Sequence, residues 1–163
     1  MCYSKQKRAA DRAEKGWGRM KEKAYSSVAA LPAGQYTGPL TPGCMVLEGG
    51  AFRGVYTSGV LDVMMLHHLK FSHVVGISAG SLNGLYYVAN QIGKAAELNL
   101  NYVRDSRYMG VSHLAKEGSY FNFDFVFQDI FNELIPFDFD TFHDSDIQFW
   151  AGVTNCADGK IEF

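Results

Sequence analysis

Ser72-His73-Val74-Val75-Gly76-Ile77-Ser78-Ala79-Gly80 is the stretch whose reading decides the fold. Ser72 to Ile77 is rich in β-branched and apolar residues and reads as a buried strand. Ser78-Ala79-Gly80 is a turn, and Leu82 to Gln91 is a run of helix formers that stops before Gly93. The same order occurs once upstream. Cys44-Met45-Val46-Leu47-Glu48 is a short apolar run ended by Gly49-Gly50. From Val55 to Leu69, Val55, Val60, Met64 and Leu66 then follow a helical spacing with a gap at Gly59, and Asp62 and His67-His68 lie off that face. Two consecutive strand-turn-helix units imply a parallel sheet with helices packed on its faces. Ligands of such sheets sit at the carboxyl ends of the strands, where both glycine turns fall.

Farther along, Asp124 is placed to cap a helix whose Phe127, Ile130, Phe131 and Leu134 share one face and which Pro136 stops. Ile147 to Thr154 reads as another strand, and Asp158-Gly159 between it and Ile161-Glu162-Phe163 marks a hairpin. The chain stops partway through that second arm, so the domain is expected to be truncated at its carboxyl end. In the other direction, a Pro- and Gly-rich run from Leu31-Pro32-Ala33-Gly34 through Pro39, Pro42 and Gly43 divides a basic leader and linker, 1–42, from a body, 43–163.

Composition narrows the class. A chain of 163 residues with 47% hydrophobic content suits one packed domain. It has no apolar run long enough to span a membrane and no signal-peptide core after Met1, so export and spanning are not expected. Cys2, Cys44 and Cys156 are far apart and in no metal-ligand spacing with histidine, so neither a metal nor a cofactor is called for, and a reducing, cytoplasmic setting is expected. Met1 to Lys23 holds eight basic and three acidic residues, a charge of +5 that leaves −7 on the remainder. The acidic body argues against nucleic acid. The arm could tether the protein peripherally to anionic lipid, each Lys or Arg contributing about 1 kcal/mol. With only Trp17 and Met20 as apolar anchors, a solvated leader is favoured.

The chemistry sits in the two turns. Gly76-Ile77-Ser78-Ala79-Gly80 is a G-x-S-x-G sequence, whose glycines allow a strained strand-to-helix turn that lifts the serine out of the sheet as a nucleophile. The bland alternative is a buried turn whose serine caps the helix; the strand before and the helix after favour the nucleophile. Gly49-Gly50-Ala51-Phe52-Arg53-Gly54 places successive small residues at a helix start, where free amides and the helix dipole favour an anion. In acyl transfer that anion is the tetrahedral oxyanion, and losing one donor costs about 3–4 kcal/mol in the transition state. A dinucleotide loop would need an acidic residue about twenty positions on, where Lys70 to Val74 stands, and no Gly-Lys-Ser/Thr follows for a nucleotide loop. The 24 residues from Gly54 to Ser78 allow one helix and one strand, so donors and nucleophile emerge from adjacent turns.

These two motifs together resemble the patatin-like phospholipase family, especially its bacterial branch. The resemblance covers roughly Met45 to Phe163. Ala51 stands where many members have a third glycine, and it is still small with a free N–H. The resemblance implies a three-layer α/β/α fold and a hydrolase of lipid degradation, a phospholipase A or esterase that cleaves acyl esters of glycerolipids through a Ser–Asp dyad without histidine. Ser78 would attack the ester carbonyl, held by an elbow of Gly76, Ile77, Ala79 and Gly80, with the amides around Gly50, Ala51 and Arg53 as oxyanion donors. The family places its Asp in an Asp-Gly-Gly or Asp-Gly-Ala motif farther past the serine than the 85 residues present here, so the acid is expected beyond residue 163. Asp158-Gly159 matches two letters, but Lys160 follows and a hairpin turn accounts for it.

Other residues carry two readings each. Arg53 either shapes the glycine loop and attracts a lipid phosphate, or pins the loop through an ion pair to a carboxylate such as Glu48. Among the histidines, His67 and His68 close a helix, His73 begins the elbow strand, and His113 and His143 are read as surface or capping residues. A Ser–His–Asp esterase or an acyl-carrier acyltransferase would need His113 or His143. A third reading is an inactive or binding-only fragment that lacks its acid. The aromatic run from Tyr120 to Phe127, with Phe137, Phe139 and Phe142, is read mostly as core, with a minority lining an acyl pocket.

Overall fold

The β-branched runs pair as their composition requires. In the computed structural model, which describes residues 34–163, β1 (Thr41–Leu47) and β2 (Phe71–Ile77) run parallel, and β3 (Gln148–Thr154) lies parallel on the other side of β2. A short β4 (Ile161–Glu162) returns antiparallel along β3, giving the order β1-β2-β3-β4. The charged leader falls outside the described residues. The sheet is therefore mostly parallel and flanked by helices, as the two strand-turn-helix units require.

Between the strands run α1 (Gly54–Leu66), α2 (Ala79–Val88), α3 (Lys94–Tyr102), α4 (Val111–Glu117), a π-helix (Phe125–Leu134) and α5 (Phe139–His143). Register sets which side of the sheet they cover. Leu47 pairs with Gly76, and Val74 with Phe149, on the face that packs against helices. Val46, Ile77 and Trp150 occupy the opposite face and are exposed, Val46 by 71%, and His73 stacks flat on Trp150 at 5.6 Å. Helix α2 divides the core. Tyr87 and Val88 join Leu47, Leu61, Met65 and Val74 in one cluster, while Tyr86 and Ala89 join Leu98, Phe125, Ile130, Phe131 and Phe137 in another. Full burial of side chains such as Val74 and Ile130 contributes about 1.5–3 kcal/mol each. No helix among the described residues is long and apolar enough to cross a membrane.

Three expectations are corrected. The buried face of α1 is Gly54, Ser58, Leu61 and Met65, whereas Val60 and Leu66 are exposed. Apolar residues nearly encircle this helix, so spacing alone does not choose a face; the close approach of α2 selects the side with small residues. The expected helix after Asp124 is a π-helix, in which the Ile135 N–H donates to the Ile130 carbonyl at 2.8 Å. Five-residue periodicity buries Phe125, Ile130 and Ile135 in one row and Val126 and Phe131 in the next, and leaves Phe127 and Leu134 exposed. Its amino end is held by Asn122, whose Oδ1 accepts from Phe125 N at 3.0 Å, because Asp124 already has helical backbone angles and makes no capping bond. The Asp158-Gly159 hairpin is present, built as a longer loop in which Asn155 N donates to Lys160 O and Gly159 takes φ +72°.

Candidate active site

At the carboxyl end of β2 the chain must reverse into α2 within one residue. Ser78 makes that reversal with φ 52° and ψ −122°, a conformation that costs a non-glycine residue of order 1–3 kcal/mol. The flanking glycines make room for it. A Cβ on Gly76 would lie 2.6 Å from Ser81 Cα, and one on Gly80 would lie 2.7 Å from the Glu48 carbonyl oxygen and collide with that of Leu47. The first turn of α2 thus folds back on its own strand while the end of β1 presses against it. Ser78 is exposed at the tip, as a nucleophile elbow requires.

The glycine turn after β1 meets the same point. A Cβ on Gly49 would sit 3.2 Å from Ser78 Cβ, so the two turns are in van der Waals contact. Gly50 takes φ 157°, Ala51 takes φ 47°, and a single 3-10 turn, Ala51–Arg53, leads into α1. That turn closes through Arg53 N donating to Gly50 O at 3.0 Å. The expectation that the Arg53 amide holds the oxyanion is therefore corrected: its hydrogen is already engaged within the turn. The amides of Gly50, Ala51 and Phe52 donate to no protein group among the described residues and remain for an anion. Arg53 is exposed, and its guanidinium lies over Gly50, with Nε 3.1 Å from where a Cβ would stand there. No ion pair joins it to Glu48 among the described residues, so the pinning reading with Glu48 is not what forms.

A buried polar cluster, not legible from the motifs, locks the two turns together. Asn83, one turn into α2, donates from Nδ2 to the Gly54 carbonyl at 2.9 Å, and its Oδ1 accepts from Ser58 Oγ of α1 at 2.9 Å. Ser58 Oγ also reaches the Gly54 carbonyl at 3.1 Å. Both side chains are buried. The one signal in the sequence is that polar Ser58 and Asn83 stand at inward positions of otherwise apolar helices.

Ser78 opens onto a cavity of about 360 Å³, lined mainly by Ala51, Phe52, Leu82, Tyr108, Phe121, Phe123, Val126 and Phe127, with Ala151, Gly152 and Val153 from the end of β3. Of the aromatic run, Phe121, Phe123 and Phe127 face this space, while Phe125, Phe131 and Phe137 are core. Burial pushes the Tyr108 hydroxyl above its ordinary range. Asp158 does not line the cavity; it accepts from Lys160 N at 3.0 Å and pairs with Lys160 Nζ at 3.4 Å, the bonds of a turn residue. His73 shares Nδ1 with Ser72 Oγ at 2.8 Å, His113 Nε2 contacts Ser106 O at 2.9 Å, and His143 ends α5 against Phe142. Ser78 Oγ makes no hydrogen bond among the described residues.

A family model described as patatin-like phospholipase matches residues 45–149. The uncharacterised protein YjjU of Escherichia coli strain K12 is 29% identical over 106 residues, which are 63% of this chain and 29% of that protein. The chain thus spans under a third of that relative's length. No solved structure matches significantly.

Proposed function

The chain belongs to the patatin-like phospholipase family, and from that membership we propose that it is a lipid acyl hydrolase in which Ser78 is the nucleophile. The observation that carries the reading is the contact of the two turns: a strained, exposed serine at the carboxyl end of β2 meets the glycine turn at Gly49, the next two amides of that turn, Gly50 and Ala51, are unengaged, and Ser78 and Ala51 line one apolar cavity. Ser78 Oγ attacks the ester carbonyl carbon, and its proton passes to a general base. The Gly50 and Ala51 amides, with that of Ala79 at the start of α2, stabilise the oxyanion. Collapse expels the alcohol and leaves an acyl-serine, which water then hydrolyses.

The base in this reading is an aspartate outside these 163 residues, since Asp158 is engaged in its turn. Nothing favours the histidine-dependent alternative: His113 is turned to Ser106, and His143 lies in α5. The substrate is an acyl ester of a glycerolipid, reached peripherally at a membrane surface from the cytoplasm, a setting in keeping with the free, exposed Cys44 and Cys156.

The test is made on the full-length protein. Ser78→Ala is expected to lower ester hydrolysis by roughly a thousandfold or more and to abolish labelling by a fluorophosphonate. Labelling that persists at another residue overturns the assignment. Asp158→Asn and His113→Gln are expected to keep most activity, and a loss in either as deep as that of Ser78→Ala would move the base to that residue.

A further inference from the structure

The cavity beside Ser78 has a direction. Its aromatic rings form a chain of contacts that starts at the glycine turn: Phe52 meets Tyr108 at 6.3 Å and Phe121 at 6.1 Å, Phe121 meets Phe123 at 6.4 Å, and Phe123 stacks on Phe127 at 6.2 Å with planes 17° apart. Tyr108 is 5% exposed, whereas the outer two rings of the strip, Phe123 at 55% and Phe127 at 47%, are open to solvent. A core cluster would bury its last two rings. Here the π-helix register turns Phe127 outward while Val126 and Phe131 go in, so the exposed rings are held in place by a buried row behind them.

Resting on the hydrolase reading of Ser78, we propose that this strip is an acyl-chain ruler: one unbranched chain, esterified at Ser78, lies along Phe121, Phe123 and Phe127, and the outer two rings are met only by longer chains. The occupant follows from continuity, because Ser78 itself lines the cavity. A chain whose carbonyl is at Ser78 covers the inner rings with its first carbons and reaches Phe123 and Phe127 with its later ones. Each methylene that gains such cover favours binding by about fourfold, so the benefit accumulates with length until the strip ends.

The experiment measures kcat/KM of the full-length protein for p-nitrophenyl esters of straight acyl chains from four to sixteen carbons, in the wild type, Phe123→Ala and Phe127→Ala. Because both rings are half exposed, these variants are expected to fold. The expected result is a loss that grows with chain length, with the ratio of long-chain to short-chain kcat/KM falling about tenfold in each variant. A uniform loss across all lengths, or no change at any length, overturns the ruler while leaving Ser78 as nucleophile. If the wild type hydrolyses none of the esters, the hydrolase reading fails, and the ruler is decided by binding. Straight-chain fatty acids are then titrated against a bound anilinonaphthalene sulfonate probe. Affinity that climbs with length and levels in Phe127→Ala supports the strip, and a flat profile in both proteins overturns it.

Discussion

Asn83 holds both halves of its amide in bonds that tie the glycine turn to the elbow helix, and neither half has water to fall back on. Asn83→Asp keeps the shape but exchanges the amide donor facing the Gly54 carbonyl for an acceptor oxygen, which is then buried with no donor of its own. An unsatisfied buried group costs about 1–3 kcal/mol, and urea unfolding of the full-length protein is expected to register a loss in that range. The more informative readout is kinetic. If the clamp sets where the Gly50 and Ala51 amides point, kcat falls at least about tenfold while KM moves little, at a temperature where the variant remains folded. A variant that loses stability yet keeps wild-type kcat would show that Asn83 supports the fold alone. At this scale the site was partly legible in the sequence. Gly76, Ser78 and Gly80 announce themselves because a tight reversal admits few residue types, whereas Asn83 and Ser58 do not, since a hydrogen bond between helices 25 positions apart leaves no local pattern. Motif position alone cannot tell a free N–H from one that closes a 3-10 turn, so the sequence reads the Arg53 amide as an oxyanion donor although it is engaged with Gly50 O.

Helices α1 and α2 each contain a glycine whose replacement by alanine tests a different force. Gly59 in α1 is exposed, and a Cβ there would meet nothing within 4 Å. Gly59→Ala therefore gains helix propensity without strain, and a stabilisation of about 0.5–1 kcal/mol is expected in urea titration. Gly80 in α2 is in contact with the backbone at the end of β1, and Gly80→Ala is expected to destabilise by at least about 1–3 kcal/mol and to abolish fluorophosphonate labelling, because β1 or α2 must move. Equal effects at the two sites would refute the close-packing account of the elbow. The contrast also marks what a sequence conveys about elements. Strand, turn and helix order is legible here because β-branched runs and glycine pairs act locally, so β1, β2 and both helices fall close to where composition places them. The inward face of α1 is not legible, since the helix is apolar nearly all round and the neighbouring α2 decides it. The π-helix is likewise set from outside, by Phe131 and Phe137 stacking at 5.5 Å with the core, so a 3.6-residue period picks Phe127 as buried when it is not.

Across the whole molecule the two ends of the sheet differ in what they bury. Ser78 is at the carboxyl end of β2, and Lys70 just precedes its amino end, roughly 25 Å away at a rise of about 3.3 Å per residue. Lys70 is fully buried, with Nζ donating to the Tyr87 carbonyl, 4.4 Å from the Tyr87 ring and 5.8 Å from that of Tyr36, and in no ion pair among the described residues. The Tyr36 hydroxyl donates to His68 O at 2.9 Å and closes the site over it. Burial lowers the amine from its ordinary 10.5 to about 7, the rings and the single carbonyl being too little to hold an ammonium at its usual affinity. The unfolded chain therefore binds a proton that the folded chain does not, and stability must rise with pH between 7 and 10.5; below 7 both states are protonated and this contribution is flat. Tyr87, pushed up to about 12 by its own burial, stays neutral in the folded protein throughout that window. Unfolded tyrosines begin to ionise near 10, so the slope is best read from pH 7 to about 9.5. Lys70→Met removes the titrating group while keeping a long side chain in the same space. Urea midpoints of the wild type are expected to climb across that interval and those of Lys70→Met to stay level, the variant being the more stable at pH 7 and the gap closing as pH rises. Parallel curves would mean that Lys70 keeps its proton in the fold. Because Lys70 is remote from Ser78, the pH profile of ester hydrolysis is expected to be the same in both proteins, which separates stability at one end of the sheet from chemistry at the other.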